Sequence, residues 1–199
     1  MLSTAKTTAL TVAAAVYVTA LVNLFGSSTL FHRPNWSIPV RNFLRRLDRA
    51  SIYLLIAGTY TPVCVAALPQ KEGRDLLTYV WIGALLGLLQ QVFWPTGPKW
   101  VSCTVYVLLG WAAAAYADSL YSSLTLWQGS LLVMGGLLYS VGAGCFAVHW
   151  PNPKPGVLAY HEVFHIFVIA ASVCHFSVVV LLLREPRAVS TSPPNWLSS

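Results

Sequence analysis

The sequence predicts an all-α bundle that crosses a membrane several times. Two observations carry this. Of 199 residues, 56% are hydrophobic and only 9% are charged, with a mean hydropathy of +0.64. A soluble domain carries about 25% charged residues, so this chain has too few to cover a water-facing globule. Second, the apolar residues gather into runs near 20 residues, the length a helix needs to cross the hydrocarbon core.

Six runs qualify, at 8–30, 50–68, 76–94, 100–117, 126–148 and 157–183. The first holds a single upstream Lys6 and no small-residue cleavage site, so it is expected to be a retained span rather than a signal peptide. The second contains Pro62, which is expected to kink it, as membrane bundles tolerate. Between the runs lie turn-forming stretches: Arg33-Pro34-Asn35, Pro69-Gln70-Lys71-Glu72-Gly73, Pro95-Thr96-Gly97-Pro98 and Pro151 to Gly156. Trp36, Trp94, Trp100, Trp127 and Trp150 sit at these borders, where an aromatic belt places them. Gly83, Gly87, Gly135, Gly136, Gly142 and Gly144 allow close helix approach. Residues 1–189 therefore form one membrane domain. The tail at 190–199, with Pro193-Pro194, is expected to be disordered.

The net charge of +6 is not a nucleic-acid footprint, because the basic residues are not spread over a solvent face. Arg33, Arg41, Arg45, Arg46 and Arg49 fall between the first two runs, as a cytoplasmic loop facing lipid headgroups would have them. That places the first loop in the cytoplasm and both termini outside. Cys64, Cys103, Cys145 and Cys174 are scattered without a C-x-x-C pair, which points to neither a thiolate metal site nor a disulfide framework.

Ionisable groups in spans are costly, and each one is a candidate for function. His32 ends the first run, with Ser28 one turn deeper on the same face, and Asp48 opens the second. His161 and His165 open the sixth, four residues apart and so on one helix face. In a six-span topology these positions share one side and one depth. Three imidazoles with an open fourth position describe a catalytic zinc site, at which water is activated. Asp48 can hydrogen-bond that water or act as its base, and Ser28 can orient a ligand or stabilise developing charge. Any one of these groups alone fits a snorkelling side chain; the set of them at one depth favours a site.

The stretch His161-Glu162-Val163-Phe164-His165 also spells H-E-x-x-H, in which the Glu would be a protease's base. An intramembrane protease leaves His32 and Asp48 without a role. His175 lies ten residues past His165, about 15 Å deeper along a helix. That is too deep for the same metal and suits a polar contact within the bundle. His149 reads as interfacial.

Several stretches together resemble the hemolysin III family, a branch of the progestin and adipoQ receptor superfamily. They are Ser28-Thr29-Leu30-Phe31-His32, the run from Leu47 through Asp48 to Pro62, Gly135 to Ala143, and His161 to Val168 with His175-Phe176. The resemblance implies a seven-helix membrane fold with zinc near the cytoplasmic face. His32, His161 and His165 would be the ligands, with Ser28 and Asp48 behind them. Six runs instead of seven suggest that the usual first helix is absent. Related receptors and alkaline ceramidases imply hydrolysis of a lipid amide. The partners expected are membrane lipids, as environment and as substrate. A receptor with structural zinc and a membrane-permeabilising protein stand as the competing classes.

Overall fold

The computed structural model describes residues 2–33, 35–154 and 156–184. Six helical segments among them are long and apolar enough to cross a membrane. They are α1 (Leu2–His32), α2 (Ile38–Ala67), α3 (Gln70–Phe93), a broken fourth span, α6 (Leu126–Val148) and α7 (Tyr160–Arg184). No β-strand occurs among the described residues, only one isolated bridge between Lys154 and Leu158. The tail expected at 190–199 lies outside them.

The outer surface is apolar. Phe93 is 80% exposed and Leu126 84%, as are many Val, Leu and Ile side chains to lesser degrees. Exposure on this scale around a whole bundle suits hydrocarbon, not water. The interior holds two clusters. One joins α2 and α3 to the fourth span and the far half of α7, around Tyr53, Val80 and Val178. The other joins α1, α2 and α7 around Tyr17, Leu55 and Val168. Helix α2 belongs to both and is the centre of the bundle. Pro62 is fully buried inside it, and the helix runs on to Ala67. At Gly58 a Cβ would come within 2.7 Å of Ala20 on α1, so glycine is what lets these two backbones lie this close.

Three boundaries depart from the sequence reading. Helix α2 begins at Ile38, so Arg41, Arg45, Arg46 and Arg49 occupy its first turns and only Arg33 stays in the connection. Pro39 at the start has no amide hydrogen to lose and a pre-set φ, which favours helix initiation there. Likewise Gln70 to Gly73 is the first turn of α3, with Lys71 and Asp75 paired at 3.0 Å. The fourth span is not one helix. It consists of α4 (Lys99–Gly110), a 3-10 segment (Ala112–Tyr116) and α5 (Ala117–Ser123). The Tyr60 hydroxyl fits this break, donating to the Gly110 carbonyl at 2.7 Å and accepting from the Ala113 amide at 3.0 Å. A buried side chain thus satisfies the backbone groups the interruption frees.

Candidate metal centre

The clamp between α1 and α2 builds one wall of the site. Ser51 is fully buried in α2 and its hydroxyl lies 2.9 Å from that of Ser27 on α1. Asn23 donates its amide to Ser51 at 3.0 Å. Ser27 directly precedes Ser28 and Ser51 lies one turn from Asp48, so the seam brings Ser28 and Asp48 into one cavity wall, close to His32. Helix α1 ends at His32, where the Trp36 indole donates to the Leu30 carbonyl at 2.6 Å and fixes the turn.

The other wall is the start of α7. His161 and His165 stand on its inner face, one turn apart. The Nε2 atoms of His161 and His32 are 3.1 Å apart, and so are those of His165 and His161. All three ligand atoms lie within 4.8 Å of one another, a cluster able to hold a metal ion. Three nitrogens each about 2.0–2.1 Å from one tetrahedral ion would be separated by roughly 3.3 Å, so the spacing fits. Residues 129 positions apart meet here at their ring nitrogens, and neutral imidazoles so close need either a shared proton or a shared ion.

The Phe146 and Phe164 rings pack against His161 and limit how it can turn, with centroids 5.5 Å and 6.4 Å away. Lys99, at the start of α4, reaches His149 Nε2 at 3.1 Å and Tyr160 at 3.5 Å, joining the end of α6 to the start of α7. Asn152 does the same through backbone, donating to the His149 carbonyl and accepting from the Tyr160 amide. Neither Lys99 nor Asn152 stood out in the sequence, since a single polar residue in a loop signals nothing until its partners are known.

Glu162 is exposed, and its carboxylate accepts from the Ala159 amide at 2.9 Å. That is the work of a capping residue in the first turn. The H-E-x-x-H match thus leaves its Glu outside the cluster. Replacing Glu162 by Ala is expected to cost about 1 kcal/mol of stability and to leave metal content unchanged. Metal analysis beside thermal unfolding checks this; loss of metal would return Glu162 to the site.

Behind the cluster a cavity opens between α1, α2, α4, α6 and α7. Ser28, Asp48 and His165 stand in its wall at the histidine end, and Leu55, Tyr139 and Val168 line it further in. At its deep end is His175, which contributes nothing to the cluster. The arrangement is a polar, ligand-capable mouth above an apolar hollow.

Across its first 176 residues the sequence matches the haemolysin-III related family. The chain belongs to that family. It is 35% identical to Hemolysin-3 of Bacillus cereus over 169 residues, 85% of this chain and 74% of that protein. It is 33% identical to the Hemolysin-3 homolog of Bacillus subtilis (strain 168) over 165 residues, 83% and 74% of the two chains. The human Monocyte to macrophage differentiation factor is 25% identical over 177 residues, 86% of this chain and 71% of that one. No solved structure matches the chain. The resemblance noted from the motifs is therefore borne out, and the protein is a multi-pass membrane member of the family.

Proposed function

We propose that this haemolysin-III family protein is a zinc-dependent hydrolase of lipid amides, with its site on the cytoplasmic side. The observation that carries the reading is the meeting of three imidazole nitrogens from α1 and α7 at the mouth of an apolar cavity. Three nitrogen donors with no thiolate suit zinc. Zinc held there supplies a Lewis acid for a carbonyl and for water at neutral pH.

The chain's own residues supply the rest. His32, His161 and His165 hold the ion, and the rings of Phe146 and Phe164 keep His161 oriented. Asp48 stands within the same mouth, in reach of an attacking water's proton, and Ser28 beside it offers a hydroxyl donor to a polarised carbonyl. The apolar walls accept an acyl chain and exclude bulk water. The Arg-rich first turns of α2 lie on this side of the bundle, which supports the cytoplasmic orientation.

The test is hydrolysis of a fluorescent ceramide by the protein purified in detergent. Turnover that a chelator abolishes and added zinc restores is the expected result. A zinc-loaded, monodisperse protein that releases no fatty acid would overturn the hydrolase and leave a receptor-like role for the same ion.

A further inference from the structure

We infer that the first three turns of α2 are a binding surface for anionic phospholipid, on which Arg41, Arg45 and Arg46 hold headgroup phosphates. The inference rests on neither the zinc nor the lipid-amide reading. Helix α2 is longer than a span needs: its 30 residues run about 45 Å, against a hydrocarbon core of about 30 Å. Its far end, Val65-Ala66-Ala67, is uncharged, so the surplus falls at the arginine end, which is also the end of the histidine cluster. These turns therefore lie at headgroup depth.

Arg41, Arg45 and Arg49 recur every four residues and form one row along the helix, with Arg46 beside it. Like charges at this spacing repel, and no carboxylate answers them. The one ion pair among the described residues joins Lys71 and Asp75, at the opposite end of the bundle. Asp48 stands in the cavity wall and Glu162 caps α7, while Glu72 and Asp118 open α3 and α5 at that opposite end. Arg49 turns inward to the Pro95 carbonyl. Arg45 is braced by the Asn42 side chain at 2.6 Å. The guanidinium groups of Arg41 and Arg46 belong to exposed residues and have no polar partner among the described ones.

Water alone would account for exposed guanidinium groups, but not for what surrounds them. In the same turns Ile38 is 78% exposed and Phe43 63%, with Val40 and the preceding Trp36 open as well. A helix that presents arginine and large apolar side chains together suits the boundary between headgroups and acyl chains. A partner that covers both needs an anion and hydrocarbon in one molecule, which a phospholipid has. Each guanidinium can take a phosphate through two N–H groups at once. A zwitterionic headgroup brings its own cation to compete for that phosphate, and a net anionic one does not. The row therefore selects phosphatidylglycerol over phosphatidylcholine.

The test titrates the detergent-purified full chain with phosphatidylglycerol or phosphatidylcholine of matched acyl chains and counts retained lipid by native mass spectrometry. The wild type is expected to bind phosphatidylglycerol about tenfold more tightly, a preference that shrinks as salt rises. An Arg41→Gln, Arg45→Gln, Arg46→Gln variant is expected to bind both lipids alike, and Arg46→Gln alone to lose part of the preference. Lys71→Gln with Arg74→Gln, at the other end of the bundle, should leave it whole. Equal affinities in the wild type overturn the inference whether or not the variants fold. A preference that survives in the folded triple variant overturns it too, and so does one that the Lys71, Arg74 control loses, because charge anywhere then suffices. If the triple variant does not fold, an unchanged preference in Arg46→Gln decides against the inference instead. Displacement of phosphatidylglycerol by inorganic phosphate at matched ionic strength also overturns it, since a free anion then meets the whole requirement.

Discussion

Purified in detergent, the wild-type chain is expected to carry about one zinc per molecule, and a His161→Ala, His165→Ala variant to carry essentially none. The size of the effect follows from the donor count. His32 alone on α1 offers a single nitrogen, and one imidazole does not hold the ion against water or buffer. The same geometry predicts a stability effect. The ion would tie the end of α1 to the start of α7, two helices otherwise joined through α2 and a small shared core. Binding to the folded state alone at a hundredfold excess over Kd is worth about 2.7 kcal/mol. Chelation should therefore lower the wild-type Tm by several degrees and leave the double variant's Tm where it was. Mass spectrometry of the metal and a thermal scan of both proteins check this. Zinc retained by the folded double variant, or absent from a monodisperse wild type, would remove the metal centre.

The residues of this cluster were legible because the constraints that place them are one-dimensional. A spacing of four puts His161 and His165 on one face of any helix, and span parity puts His32 and Asp48 at the same end. Hydropathy served less well where charge and helix coincide. Arg41, Arg45, Arg46 and Arg49 look like a loop on a hydropathy scale, yet backbone hydrogen bonding has no objection to arginine, and at a membrane border the heads can reach water. Arg49 even works within the bundle, donating to the Pro95 carbonyl at 3.3 Å while its own carbonyl accepts from Tyr106. The break after Gly110 was hidden for the opposite reason: its apolar residues continue the run, and only Tyr60, fifty positions away in sequence, reveals it. His175 could be placed in depth from the sequence but not understood. That both its ring nitrogens lack a partner among the described residues is a property of the packed bundle alone.

Asp48→Asn is expected to keep the zinc and lose turnover by about 10²–10⁴-fold, the range attributed to a positioned general base. Asparagine fills the same volume beside Ser28, so the mouth should keep its shape. What it cannot do is take up a proton from an attacking water. The loss should fall on kcat more than on KM, since Asp48 does not line the deep part of the cavity that receives the chain. Ser28→Ala is the informative companion: it removes the hydroxyl that shares the cavity wall with Asp48 and should reduce turnover less, with metal content unchanged. Steady-state ceramide hydrolysis alongside metal analysis separates the possibilities. If Asp48→Asn empties the site of zinc, the carboxylate's task is holding the ion. If turnover is unchanged, the proton goes elsewhere, and the next group to examine is His165, which stands in the same cavity wall.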